Sequence, residues 1–353
     1  MALAAMACLI VVARLRTLHE PLEPDLVTYA TIGHEMANGK RLYSDIWDVK
    51  PPGLYVTYML GELVAGHGDR QVWVLGVFAA LATLAGVYAA GAALGRGAGL
   101  LAAAFWTALQ GVLVIQANQP NAEVFIDAAW VAAFAALVRH PGGRPAWLRA
   151  LAVGALLGVG STYKPIVVLL ALVLALAHCV APPPGLSRRD ALLEVAVMTV
   201  GAAAVWGLVF GYAAATGQVD IYWATNVSEN RHRSAGLLFN LYRYVRELRV
   251  APRALLFLGP ALLLVAAGMV VGLRRGPRRE WILFLALQAG VHLMILSQGR
   301  AFHVHSYQMW LPALAIGAAW AAATLRADPE LRAGGAARRH AGAAAAALAL
   351  AVV

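Results

Sequence analysis

Gly53-Leu54-Tyr55-Val56-Thr57-Tyr58-Met59-Leu60-Gly61-Glu62-Leu63-Val64-Ala65-Gly66 is the stretch on which the topology turns. Read as a membrane span, it inverts every segment that follows. Read as a helix at the membrane surface, or a re-entrant one, it leaves the rest of the chain consistent. The choice is made by the charges further along. Apolar segments of bilayer-crossing type fall at 1–15, 72–94, 97–115, 124–138, 150–162, 166–181, 191–214, 252–273, 281–297, 309–325 and 341–353. One set of connections is short and arginine-rich: Arg96, 139–149, Arg188-Arg189, 274–279 and 326–339. The other set, 17–71, 116–123, 215–251 and 298–308, is longer and mixed. With the arginine-rich set on the cytoplasmic side, the two kinds alternate without a violation. Counting 53–66 as a span would break that pattern.

The composition agrees. Of 353 residues, 61% are hydrophobic and only 13% charged, whereas soluble domains carry about 25% charge. Soluble folds are therefore excluded. The net charge of +10 lies in the arginine loops, as the positive-inside rule requires, so nucleic acid is not an expected partner. Cys8 and Cys179 both lie in apolar segments and read as packing residues. Residues 1–13 lack a basic leader and a cleavage site, and read as a first membrane helix rather than a signal peptide. Pro182-Pro183-Pro184-Gly185 reads as a cytoplasmic turn. Residues 326–340 form a basic linker, and 341–353 the start of a further span.

Polar chemistry gathers in the mixed loops. Lysine occurs three times, at Lys40, Lys50 and Lys164, against 25 arginines. A compact ammonium suits a phosphate. Lys50 and Lys164 each precede a proline at a loop–helix junction, which favours phosphate contact, whereas Lys40 reads as an interfacial residue. Pro24-Asp25 opens a helical pattern in which Asp25 is either a favourable first-turn charge or a general base at the membrane surface. Glu123, in Asn121-Ala122-Glu123-Val124-Phe125, stands where a mixed loop enters a span, a costly place for a charge. His303-Val304-His305 could bind a metal, but no third ligand is close in sequence, so a polar contact to a sugar or phosphate is preferred. The loop 215–251 adds Tyr222 and Trp223, suited to sugar stacking or interface anchoring. Asn226-Val227-Ser228 matches a glycosylation sequon by chance. There is no Gly-rich phosphate loop, G-x-S-x-G or C-x-x-C.

An acid after the first span, Tyr29-Ala30, Gly39-Lys40-Arg41-Leu42-Tyr43-Ser44-Asp45-Ile46-Trp47-Asp48 and Lys50-Pro51-Pro52-Gly53 together resemble the bacterial dolichyl-phosphate-mannose-protein mannosyltransferase-like family. That family is related to the aminoarabinose transferases that modify lipid A, and both are of the GT-C class. Asn121 to Phe125, Tyr163-Lys164-Pro165 and Gly299-Arg300 through His305 to Pro312 resemble it too, so the similarity runs from about Glu23 to Ala318. The chain departs from the family at Leu26, where an acid is frequent, and at Ser306, which separates His305 from Tyr307.

The resemblance implies an all-α polytopic membrane protein, a GT-C bundle of about 11 transmembrane helices with a juxtamembrane helical first loop. Residues 1–325 would be the catalytic domain. It implies a glycosyltransferase of the bacterial plasma (inner) membrane, acting on the outer face. The donor would be a polyprenyl-phosphate sugar, and the acceptor a protein, glycan or lipid. Asp25 and Glu123 match the two catalytic acids. Lys50 matches the lysine at the lipid phosphate, and Lys164, Arg300 and His305 match donor-cavity positions. Tyr29, Tyr43, Asp45, Asp48, Asn121 and Tyr307 complete the candidate substrate-binding set. No cofactor is implied, and a divalent ion stays open because GT-C enzymes differ in metal dependence. The competing readings are a transporter or lipid flippase, which needs charged or broken helices at the membrane midplane, and a non-catalytic envelope subunit.

Overall fold

In hydrocarbon only a helix satisfies its own backbone polar groups, and the apolar segments are helical. The computed structural model describes residues 1–229, 235–250, 252–299 and 303–330. Arg300, the linker beyond 330 and the expected span at 341–353 lie outside the described residues. The helices are Ala2–Arg14 (α1), Pro24–Ala37 (α2), Pro52–Ala65 (α3), Asp69–Gly91 (α4), Arg96–Leu109 (α5), Ala122–Val138 (α6), Trp147–Ser161 (α7), Val167–Val180 (α8), Arg188–Ala215 (α9), Val219–Trp223 (α10), Leu237–Val250 (α11), Pro252–Arg275 (α12), Arg278–Leu296 (α13) and Trp310–Ala327 (α14). Among the described residues there is no strand beyond an isolated bridge between Leu42 and Ile46.

Among the described residues, five stretches are long and apolar enough to cross a membrane: Asp69–Leu94, Arg188–Ala215, Leu258–Arg275, Arg278–Leu296 and Val304–Ala327. The chain is a multi-pass membrane protein. Large apolar side chains face outward, among them Phe78, Leu172, Leu176, Leu192 and Leu208. That arrangement is tolerable in lipid and unfavourable in water. Inside, Trp130, Trp281 and Trp320 are fully buried. Trp320 packs against Phe134, Trp281 and Phe284 at centroid distances of 5.9–6.0 Å. α7 and α9 approach backbone to backbone through glycines, since a Cβ on Gly154 would lie 1.8 Å from the Met198 carbonyl oxygen. Small residues at helix crossings permit such contact.

The stretch that opened the sequence reading is α3, a 14-residue helix. At 1.5 Å per residue it is about 21 Å long, short of the ~30 Å bilayer core. It lies parallel to α2. Tyr29 meets Tyr55 and Tyr58 edge-on at 6.3 and 5.7 Å, Gly33 abuts Met59, and His34 reaches Glu62. Both N-termini of this pair therefore lie at one end, and both C-termini at the other.

The connections sort into two groups at opposite ends of α6. Near Ala122, the first loop is stitched to the 116–121 loop: Glu23 N donates to Gln119 Oε1 (3.0 Å), Gln119 Nε2 to the Pro21 carbonyl (3.0 Å) and Asn118 Nδ2 to Glu20 (2.7 Å). Gln218 Nε2 donates to Ser44 Oγ (2.8 Å), and Gln308 Nε2 to the Gln116 carbonyl (2.7 Å). Near Val138, the arginine-rich connections meet. Arg149 donates to the Arg139 carbonyl (2.7 Å), Arg279 to the Val138 carbonyl (3.2 Å) and Gly143 N to the Pro184 carbonyl (2.8 Å).

Candidate active site

Proline starts fix where the polar side chains stand. Pro24 occupies the first turn of α2, where its missing N–H costs nothing, and Asp25 follows in that turn. Pro51 and Pro52 begin α3 and hold the preceding Lys50 extended. Gly53 then packs on the turn after α7: its N–H donates to the Thr162 carbonyl (3.0 Å), and a Cβ there would lie 2.1 Å from Thr162 Oγ1. This close approach brings the Lys50 junction to the turn that carries Lys164.

Two carboxylate–lysine pairs result. Lys50 Nζ donates to Asp25 Oδ2 at 3.2 Å and to the Tyr29 hydroxyl, and lies 4.3 Å from the centroid of the Tyr29 ring. The Tyr29 hydroxyl in turn donates to Asp25 Oδ2 at 3.0 Å. Lys164 Nζ donates to Glu123 Oε1 at 2.5 Å and to Gln298 Oε1 at 3.3 Å, and His305 Nε2 lies 3.7 Å from Glu123 Oε1. Glu123 Oε2 and Gln298 Nε2 are buried with no hydrogen-bond partner among the described residues. Buried polar atoms are rarely left so, and both stand next to Lys164.

The pairs feel each other. Burial works against the Asp25 carboxylate, but the Lys50 charge and hydrogen bond, Tyr29 and His305 together hold its pKa below the ordinary 3.8. Burial lowers the Lys50 pKa, the Lys164 charge lowers it further, and Asp25 pulls the other way. Burial raises the Tyr29 pKa, with Asp25 and Glu123 adding to it.

The remaining candidates divide by what they touch. Tyr43 has a left-handed backbone (φ 71°), uncommon for a side chain of its size. Its hydroxyl donates to the Lys50 carbonyl (2.6 Å), its N–H to the Ile46 carbonyl (2.7 Å), and its ring meets Tyr222 edge-on at 4.8 Å. It thus sets the backbone at Lys50. Asp48 accepts from the Tyr55 hydroxyl (2.6 Å) and from Val49 N (2.7 Å), bracing the same loop. Asp45 is exposed and engaged by Arg41 at 2.8–3.2 Å. Asn121 stands at the N-cap position of α6 without a side-chain cap bond, and its amide donates instead to Glu23 Oε2 (3.2 Å). The Tyr307 hydroxyl donates to the Tyr244 carbonyl (2.5 Å), and its ring packs on Trp310. Arg300 is outside the described residues.

Two residues of this end carried too little signal in the sequence. Arg14 is 5% exposed and donates to the Gln110 side chain and to the carbonyls of Gln110, Ala117 and Asn118. It holds the 110–118 loop from the end of α1, and a charge at a span's edge was the available clue. Gln298 became visible only when folding placed it beside Lys164.

No family model matches the chain, and no curated protein does. Solved structures do. ArnT from Cupriavidus metallidurans in the apo state superposes with a TM-score of 0.64 at 21% identity, over 95% of this chain and 60% of that one. ArnT bound to undecaprenyl phosphate gives 0.60 at 20% identity, over 91% and 59%. The archaeal oligosaccharyltransferase AglB from Archaeoglobus fulgidus, in complex with an inhibitory peptide and a dolichol-phosphate, gives 0.59 at 13% identity, over 91% and 49%.

The fold is the GT-C fold.

At these identities the likeness is one of architecture, and the chain spans 60% or less of the length of these GT-C proteins. The GT-C architecture expected from the first-loop motif is the architecture found, with five stretches of spanning length and hydropathy among the described residues. Among the described residues, three metal-ligating side chains converge only at His34, Glu62 and His67, outside the two pairs. At the pairs themselves both acids are already engaged by lysine.

Proposed function

We propose that this chain is a membrane glycosyltransferase that moves a sugar from a polyprenyl-phosphate donor to an acceptor hydroxyl at the outer membrane face. One observation carries the reading: two acid–lysine pairs from sequence-distant loops converge at one end of a GT-C bundle. Residues 1–325 serve as the catalytic membrane domain of a bundle of about 11 spans in the plasma membrane. The chemistry sits at the end away from the arginine loops.

In this mechanism Lys50 and Lys164 take the donor phosphate, which becomes a fair leaving group once its charge is neutralised. The acceptor oxygen attacks the anomeric carbon as the bond from that carbon to the phosphate oxygen breaks. The electron pair leaves with the phosphate, the acceptor proton passes to the Asp25 carboxylate, and configuration inverts. Lys50 is shared between base and substrate. Turning toward phosphate, it releases Asp25 from the contact that depresses its pKa, so donor binding makes the carboxylate a better base. Glu123 keeps Lys164 in place.

The test is transfer from a panel of radiolabelled polyprenyl-phosphate sugars in membranes, wild type against Asp25→Asn. Label reaching an acceptor only with wild type supports the reading. Folded protein that consumes no donor refutes it.

A further inference from the structure

At the far end of the α2–α3 pair, three side chains that the proposed chemistry does not use face one another. His34 Nδ1 lies 2.8 Å from Glu62 Oε1, and His67 Nδ1 lies 3.4 Å from Glu62 Oε2. The two imidazole rings are 4.3 Å apart, and the three ligand atoms lie within 4.8 Å of one another. Glu62 is the most enclosed, with its side chain 15% exposed, while His34 and His67 keep 39% and 47%. We infer that His34, Glu62 and His67 form a divalent-metal site, of zinc type, that staples the C-terminal ends of α2 and α3 together.

Four features point to an ion rather than to a hydrogen-bonded trio. First, the donor set is two imidazole nitrogens and one carboxylate, which suits zinc and leaves a fourth position for water. Second, the spacing fits. Ligands about 2.0–2.1 Å from a tetrahedral zinc lie about 3.3 Å from each other, and the two carboxylate–imidazole separations bracket that value. Third, Glu62 Oε2 is a buried carboxylate oxygen with a histidine nitrogen beside it but no hydrogen bond, so its lone pairs are uncommitted. Fourth, the backbone is built to deliver His67. Gly66 and Gly68 on either side have φ of 77° and 115°, with open space where a side chain would be. They turn the chain back so that His67 faces the last turn of the helix it follows. That left-handed geometry, rather than crowding, is what requires glycine there.

The site stands apart from the acid–lysine pairs. His34 follows Asp25 by nine positions on the same helix, about 13 Å along its axis. A bound ion there would not touch the reacting atoms. It would tie together the two parallel helices whose other ends present Asp25 and Lys50.

The experiment uses tag-free protein purified in detergent, stripped with chelator and titrated with zinc chloride. We expect one zinc per chain by elemental analysis. We also expect at least a tenfold loss of affinity in each of His34→Ala, Glu62→Gln and His67→Ala, and no change in His303→Ala. Thermal unfolding of the metal-free variants monitors folding, so lost binding is not confused with lost structure. Cobalt loaded into the wild type supplies a reading that needs no variant, because a four-coordinate site has strong ligand-field bands and an octahedral aquo-like ion does not. Wild-type protein that retains no zinc, binds it no better than the triple variant His34→Ala/Glu62→Gln/His67→Ala, or gives only the octahedral cobalt spectrum overturns the proposal.

Discussion

At Asp25 and Lys50 the acid side chain is 49% exposed and its partner 22%. At Glu123 and Lys164 the figures are 1% and 14%. The charges are the same, and the consequences are opposite. A carboxylate that still sees solvent can exchange its lysine for a substrate and then take a proton. A buried one cannot lose its partner without leaving a bare charge in low dielectric, where the desolvation penalty dominates. We read the first pair as the reacting one and the second as the one that holds the site's shape.

Replacing Asp25 with Asn is the strongest way to test that division. General-base catalysis contributes about 10²–10⁴-fold, so turnover should fall by that much while donor affinity, measured by equilibrium binding, stays near wild type. Near-normal turnover would remove Asp25 from the chemistry. Glu123→Gln should act on stability instead, costing about 3–5 kcal/mol by stranding the Lys164 ammonium. Glu123→Gln/Lys164→Met should recover much of it in detergent unfolding measurements. If the single variant unfolds like wild type, the buried pair is no scaffold and the contrast fails.

The pH profile separates the pairs more finely. The Asp25 pKa is held below 3.8, so kcat/KM, which reports the free enzyme, should have its acid limb below that value. If donor binding draws Lys50 away, as proposed, the limb in kcat should lie at higher pH. Lys50→Met should move the kcat/KM limb up to meet it. On the alkaline side, burial and the Lys164 charge lower the Lys50 pKa, so phosphate binding should weaken before pH 10.5 is reached. For stability the sign follows from the depressed acid. The pair's contribution is present above the unfolded aspartate pKa and is lost as pH falls through the lower folded one. Identical acid limbs in kcat and kcat/KM would contradict a shared Lys50.

How far the sequence could be read depended on whether a feature was local. The proline starts of α2 and α3 and the scarcity of lysine are local, and they marked Asp25, Lys50 and Lys164 directly. A helix at 52–65 was legible, and the arginine counts on either side are what argue that it is not another crossing. What could not be read were the pairings. Lys164 and Glu123 are 41 positions apart, and Gln298 is 134 from Lys164. Nothing in the local pattern says that their loops meet. Asp45 stood out within the Gly-x-x-Leu-Tyr-x-Asp motif, yet its observed contact is with Arg41, four residues back. Tyr43 entered the candidate substrate-binding set through the resemblance alone. Its positive φ, invisible in a string of letters, gives it a backbone duty.

That duty supports the smallest and most discriminating prediction. The Tyr43 hydroxyl donates to the carbonyl of Lys50, not to its ammonium, and accepts a longer bond (3.4 Å) from Asn226 Nδ2, which also donates to the Tyr222 carbonyl, so Tyr43→Phe leaves every charge in place and chiefly loosens the peptide from which Lys50 projects. A neutral hydrogen bond contributes about 0.5–1.5 kcal/mol net, which corresponds to roughly a 2–12-fold change in an equilibrium constant. In the proposed mechanism Lys50 serves Asp25 before the donor binds and the phosphate afterwards. The loss should therefore appear as weaker donor binding, with kcat changed less than binding. Tyr222 still packs on the ring and Ile46 still accepts from the backbone N–H, so the left-handed turn should survive. A Tyr43→Phe variant that loses turnover as Asp25→Asn does would mean that the hydroxyl touches the reacting sugar. The line between reacting and supporting groups would then have to be redrawn through the first loop itself.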